Sequence, residues 1–245
     1  MPHPAKLEVP KIDEMGAEKD GVRQTSNKRL FMQLHVFDEC RNAEALKSAL
    51  VSSGLEAVLY EDVMNPLGVG VLFMNHDPEF FVTEVRHMLA HEPFASLQYC
   101  PEMTMFGRSY ALGHEQNLDE WLLNKPRKTV LNTAWPWAIW YPLRRKGKFE
   151  ALSQEEKNKT LYEHAMIGMS YGAADFAHDV RLACHGLDTN DNEFVIGLTG
   201  KDLYPLSKII QDMRKTDQTA KYIESLGPFF VGRAYWQGTF ADSAS

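Results

Sequence analysis

The sequence predicts an α+β fold: two ferredoxin-like (βαββαβ) units in one chain, with antiparallel sheets, of the dimeric α+β barrel type. Three observations carry this. Strand-like and helix-like segments follow the order β-α-β-β-α-β, and that order occurs twice. The 245 residues leave room for two small domains. The composition, 44% hydrophobic and 24% charged, is that of a globular chain able to bury a core.

The first unit begins with "FMQLHVF" (31–37), whose alternation predicts a strand. "NAEALKSALVSS" (42–53) has apolar residues at helical spacing. "AVLYED" (57–62) and "VGVLFM" (69–74) predict strands joined through the turn Asn65-Pro66-Leu67-Gly68. "DPEFFVTEVRHMLA" (77–90) opens with an Asp N-cap and a Pro at the first helical position. "EMTMFGRSYALG" (102–113) supplies the closing strand.

The second unit repeats the order. "WAIWYP" (137–142) predicts a strand that ends or bulges at Pro142, which has no N–H to donate. Residues 153–177 predict a long helix opened by the capping box Ser153-x-x-Glu156. "DVRLACH" (179–185) and "EFVIGLTG" (193–200) are strands separated by the turn composition "GLDTNDN". "DLYPLSKIIQDMRK" (202–215) is a helix, and "PFFVGRAYW" (228–236) closes the unit. The predicted division is a mobile tail (1–26), an N-terminal unit (27–113), a linker with one short helix at Asp119–Leu123 (114–134) and a C-terminal unit (135–245).

Composition removes several functions. No apolar run approaches the roughly 18 residues of a membrane span, and the N-terminus lacks a signal-like apolar region. Three scattered cysteines, Cys40, Cys100 and Cys184, with no CxxC or CxxxC pair, argue against an iron–sulfur or structural zinc site and fit a reducing cytoplasm. A net charge of −7 argues against nucleic-acid binding and makes any basic cluster informative. No phosphate-binding loop, GxGxxG, GxSxG or HExxH occurs. His87 and His91 stand at i,i+4 without an evident third ligand and read as a polar helix face.

The chemistry concentrates in the second unit. In its long helix, Gly168 and Gly172 lie four and eight residues beyond His164 and share its face. Each interior glycine costs about 1 kcal/mol relative to alanine. Two of them leave a bare surface beside an imidazole, which suits a planar macrocycle with an axial ligand. A close helix–sheet contact would call for the same small residues. In the strand, Trp137, Ile139 and Tyr141 share one face, and Ala138 and Trp140 the other. Tyr141 is followed by Arg144, Arg145, Lys146 and Lys148, a cluster suited to carboxylates or phosphates. Arg181, Ala183 and His185 share one strand face, opposite Val180, Leu182 and Cys184. Arg181 can project over a bound group; so can His178 from the helix–strand joint.

These residues resemble the chlorite dismutase superfamily and, within it, the coproheme decarboxylases of haem biosynthesis. The resemblance covers residues 130–236 and rests on "WYPLRRK", "YEHAMIGMSYG" and "MRKTDQTAKYIESLGPFFVG", in that order. It implies two ferredoxin-like units per chain, a homopentamer, and a porphyrin held by the second unit only. It implies His164 as the proximal iron ligand and Tyr141 as the redox-active residue. It implies propionate contacts from Arg144 and Lys146, with Arg145 ambiguous, and the bare helix floor at Gly168. Strand pattern makes Arg181 the distal residue; counting from His164 instead gives Ala177 or His178. Asp217 is the candidate acceptor for the His164 ring. The implied reaction is peroxide-dependent oxidative decarboxylation of two propionates of iron-coproporphyrin III, giving haem b. The alternatives are a chlorite-decomposing or peroxidase-like haem enzyme, or a non-catalytic haem carrier or sensor.

Overall fold

The computed structural model describes residues 8–238. β1 (Glu14–Lys19) and β2 (Val22–Ser26) form an antiparallel hairpin. This corrects the expected mobile tail over 14–26; residues 1–7 of that tail, and 239–245 at the end of the C-terminal unit, lie outside the described residues. The hairpin turns at Asp20-Gly21, both at positive φ (53° and 76°), which a two-residue turn of this hand requires. It is tied to the chain beyond the first unit: Ala17 N donates to the Glu115 carbonyl at 3.0 Å and Ser26 Oγ to Asp119 Oδ1 at 2.8 Å.

The N-terminal unit comprises β3 (Phe31–Asp38), α1 (Ala43–Ser53), β4 (Ala57–Asp62), β5 (Val69–Asn75), α2 (Glu84–Leu89), β6 (Gln98–Tyr99) and β7 (Met105–Arg108). The helix predicted over 77–90 is broken. The Asp77 side chain caps a 3-10 turn at Pro78–Phe81, and α2 starts afresh at Glu84. The closing strand is far shorter than 102–113, since Cys100 to Met103 turn on themselves before it.

A π-helical turn at Glu120–Asn124 and α3 (Lys125–Val130) occupy the predicted linker. Their Val130, with the following Leu131, is buried against the strands, so this segment caps the core rather than only connecting units. The C-terminal unit comprises β8 (Trp137–Arg145), α4 (Gln154–Ala173), β9 (His178–Ala183), β10 (Phe194–Gly200), α5 (Leu203–Met213), β11 (Ile223–Leu226) and β12 (Phe230–Gln237).

In each unit the first strand is central, flanked by the third and the last: β7-β3-β5-β4 and β9-β10-β8-β12. Every pairing is antiparallel, as the ferredoxin-like reading requires. The units join through β4–β12 and through the Arg108–Ala183 pair of β7 and β9. The circuit β8-β10-β9-β7-β3-β5-β4-β12 therefore returns to β8 and closes a barrel. Closure removes exposed strand edges.

Strand alternation sorts side chains between two environments. Leu34, Val58, Leu72, Trp140, Val180 and Val195 fill the barrel, while Phe37, Leu59, Phe73, Ile139 and Leu198 face helices. Large rings fill the barrel where glycine leaves room: a Cβ on Gly197 would lie 2.5 Å from Trp140, and one on Gly70 2.5 Å from Phe230. Among the described residues, no helix is long and apolar enough to cross a membrane.

Candidate active site

The site is built on α4. Ser153 and Glu156 form the reciprocal capping box that starts the helix. Its inward stripe is Leu161, His164, Ile167, Gly168, Tyr171 and Gly172. None of these is fully buried, and α4 has no buried residue over its whole length. Ile167 and Tyr171 reach the cluster of Ile139 and Leu198, and the Tyr171 hydroxyl donates to Asp212 Oδ2 of α5 at 2.8 Å. The helix is thus held through its C-terminal half, and the stripe around His164 is only partly buried. A Cβ on Gly168 would meet only Met213 Cε, at 3.7 Å, and one on Gly172 only the Ala177 carbonyl, at 3.9 Å. Protein packing does not require these glycines, so the close-contact reading fails.

His164 Nδ1 is buried without a hydrogen-bond partner among the described residues. Burial, with the charge of Arg181 adding to it and Asp179 opposing, lowers the ring's pKa to about 4. The imidazole is therefore neutral at physiological pH, the state in which histidine ligates a metal. An unpaired neutral imidazole above two unpacked glycines fits an iron porphyrin. His164 would supply a ligand nitrogen and Gly168 and Gly172 the floor.

Facing α4, β8 presents Trp137, Ile139 and Tyr141, as alternation predicts. Tyr141 stacks on Phe229 with ring centroids 4.8 Å apart. Burial, reinforced by Asp179 and partly offset by Arg214, raises its pKa well above the ordinary tyrosine range. The phenol stays protonated, and among the described residues nothing takes its hydroxyl.

Arg181 lies on the same sheet face, opposite Ile196 of β10. Its Nε pairs with Asp179 Oδ2 at 2.8 Å and its guanidinium lies 5.3 Å from the Trp121 ring. Val180, Leu182 and Cys184 point into the barrel, as expected. His178 shares their side, bonded to Asp175 at 2.8 Å and stacked on Trp135 at 3.5 Å. Ala177 is buried in the helix–sheet core. Of the three distal candidates, only Arg181 combines a functional group with the right face.

The basic cluster divides. β8 does not end at Pro142; it runs on to Arg145, because Pro142 sits where β12 gives way to β11 and a missing N–H is tolerated. Arg145 shares the Tyr141 face but is engaged by Glu193 at 3.0 Å and Glu150 at 3.2 Å, and stacks over Phe149 and Phe194. Arg144 is held only loosely, by the Asn190 carbonyl at 3.4 Å, Asp191 at 3.6 Å and Glu224 at 3.8 Å, with Nε buried and unpaired among the described residues. The Lys146 ammonium, among the described residues, donates only to the Lys221 carbonyl, at 3.3 Å.

Asp217 does not accept from His164. Its carboxylate pairs with Lys221 at 2.8 Å, one turn along the same π-helical segment (Gln218–Tyr222), and its N–H donates to Glu163. The neighbouring Gln218 Oε1 is buried without a partner among the described residues. His87, in α2, and His91, just past its end, lie ring against ring at 4.3 Å, with His91 Nδ1 2.6 Å from the His87 carbonyl, and no group of three metal-ligating side chains forms among the described residues. Sequence reasoning misses Asp179; the alternation Asp179-x-Arg181 is the available signal.

Residues 122–235 match the chlorite dismutase family. The coproheme decarboxylase of Oceanobacillus iheyensis is 31% identical over 125 residues, covering 49% of this chain and 47% of that protein. The chain thus spans about half the length of that curated relative. A heme-binding protein from Thermus thermophilus shares the fold with a TM-score of 0.64, at 20% identity, over 93% of this chain and 95% of that one. A variant chlorite dismutase from Candidatus Nitrospira defluvii does so with a TM-score of 0.63, at 13% identity, over 84% and 90%.

Proposed function

We propose that this chain, whose residues 122–235 match the chlorite dismutase family, is a haem-dependent enzyme that decarboxylates iron-coproporphyrin III with hydrogen peroxide, giving haem b. The observation that carries the reading is the neutral, unpaired His164 on a helix that does not close over its glycines. The porphyrin is substrate and redox centre at once, and its iron supplies the oxidising chemistry when peroxide is present. Each propionate loses carbon dioxide, one proton and two electrons to become a vinyl group. Each peroxide takes two electrons and two protons and leaves as water.

His164 would hold the macrocycle's iron through a neutral ring nitrogen. Gly168 lets the ring lie against the helix backbone. Lys146, just past the end of β8, has only a weak partner in the protein, so its charge is free for propionates; Arg144, weakly paired but turned to the side of β8 opposite Tyr141, would reach them around the strand edge. Arg145 is engaged by two carboxylates and shapes the loop instead. Tyr141, protonated and with an unclaimed hydroxyl, gives up its hydrogen and takes one from the propionate β-carbon. Tyr141→Phe should bind coproheme nearly normally and consume peroxide, yet make no vinyl product by mass spectrometry. Haem b at the wild-type rate in that variant refutes the assignment.

One observation favours a second reading, chlorite decomposition: Arg181 is a cation on the sheet face opposite His164, able to stabilise charge on a bound oxidant. Its signature is oxygen release from chlorite that Arg181→Ala abolishes. A haem carrier would show neither reaction.

A further inference from the structure

The N-terminal unit has a cavity of its own. About 430 Å³ lies between the outer face of β3 and α2, walled by Phe37, Phe81, Phe94 and Tyr99 and floored by Gln33 and His35. This is within the ~300–1,000 Å³ range of small-molecule sites.

Its floor is polar and unsatisfied. Gln33 and His35 stand two apart on β3 and share one face. His35 is only 8% exposed, and its Nε2 has no hydrogen-bond partner among the described residues; neither has Gln33 Oε1. Unpaired buried polar atoms cost about 1–3 kcal/mol each, and two side by side call for an occupant. A water bridging the two would find only the minimum of two polar partners, and the aromatic walls leave the rest of the volume to an apolar occupant.

The rest of His35 is organised for binding. Its Nδ1 lies 3.2 Å from Tyr99 Oη, which lies 2.5 Å from Thr104 Oγ1. Burial lowers its pKa to about 4, so the ring is neutral and offers no charge to an anion. In one consistent orientation Thr104 donates to Tyr99, Tyr99 to Nδ1, and Nε2–H points to the cavity. A hydroxyl there accepts from His35 and donates to Gln33. Phe37 lies 5.4 Å from Tyr99 and 6.0 Å from Phe94, ring to ring, giving walls suited to an aromatic plane.

We infer that this cavity is a second binding site, for a neutral planar aromatic molecule of one or two rings whose hydroxyl is held between Gln33 and His35. The test uses the full chain, titrated calorimetrically with 1-naphthol and with naphthalene, which lacks the hydroxyl. One 1-naphthol should bind per chain, at least tenfold tighter than naphthalene. His35→Phe should erase that preference. Leu89→Trp, at the half-exposed rim, should block both probes while leaving the melting temperature near wild type. His164→Ala should change neither. The inference is overturned by the absence of saturable 1-naphthol binding up to millimolar concentration. It is equally overturned if His35→Phe and Leu89→Trp bind like wild type, or if His164→Ala abolishes binding, which would put the probe on the other unit.

Discussion

Replacing Gly168 by alanine should stabilise the ligand-free protein and weaken its grip on porphyrin. Gly168 lies in the interior of α4. The added methyl would meet only Met213 Cε at 3.7 Å, an ordinary contact, so no strain opposes it. Helix propensity then favours alanine by about 1 kcal/mol. For a chain of this size, that raises the melting temperature by roughly 2–4 °C. Binding moves the other way. If the macrocycle lies on the glycine floor, the methyl intrudes between two stacked surfaces. Overpacking of this kind costs about 1–3 kcal/mol, or roughly 5- to 150-fold in affinity. Circular dichroism melts of the ligand-free variant give the first number. A Soret-band titration with coproheme gives the second. A raised melting temperature with unchanged affinity would show that the porphyrin lies elsewhere. A lowered one would show that the glycine serves protein packing.

Three further outcomes are expected. His164→Ala should remove the axial-histidine signature in resonance Raman, and His178→Ala should leave it intact, because His178 is bonded to Asp175 on the barrel side; the reverse pattern refutes the ligand assignment. Lowering the pH should destabilise the protein through His35. Folding drops its pKa from the ordinary 6.5 to about 4, so the unfolded chain binds more protons in that window and stability falls as pH falls through it, by about 3 kcal/mol at most. Urea midpoints at pH 7 and pH 4.5 should therefore differ less in His35→Phe than in wild type, and equal differences refute the linkage. The chain should form a homo-oligomer, most simply a pentamer, since Tyr162, Met166 and Met169 leave an apolar stripe exposed on α4; a monomeric mass by light scattering at micromolar concentration refutes it.

Much of the site can be read from alternation and helical spacing, because both are local. Tyr141 and Arg181 face α4 for the same reason that Trp140 and Val180 fill the barrel. What fails depends on partners distant in sequence. Pro142 resembles a strand end, but its neighbouring strand is interrupted opposite it. Asp217 looks free in the sequence, but Lys221 one turn on holds it. Arg144 and Arg145 fall on opposite faces once β8 is known to run on past Pro142, but that Arg145 is held by Glu193 and Glu150 depends on other segments. The Asp20-Gly21 turn is legible, yet the strands beside it are polar, and their anchoring comes from Glu115 and Asp119.

The contrast between α1 and α4 explains why one topology yields two different faces. Both helices follow the first strand of their unit and lie against the outside of the barrel. α1 drives Leu46 and Leu50 fully into the sheet, and the core beneath it closes around Phe73 and Leu59. α4 is nearly twice as long and buries nothing completely. Backbone geometry does not cause the difference, since the strand order is the same in both units. Side-chain volume does. Where α1 carries leucines at i and i+4, α4 carries His164 and Gly168, and a glycine cannot span the gap that a leucine fills. A helix that gains so little from burial relies on its capping box and on the Tyr171–Asp212 hydrogen bond to stay in place. Its apolar partner is then expected from outside the chain, and a flat porphyrin face is a surface of the right shape.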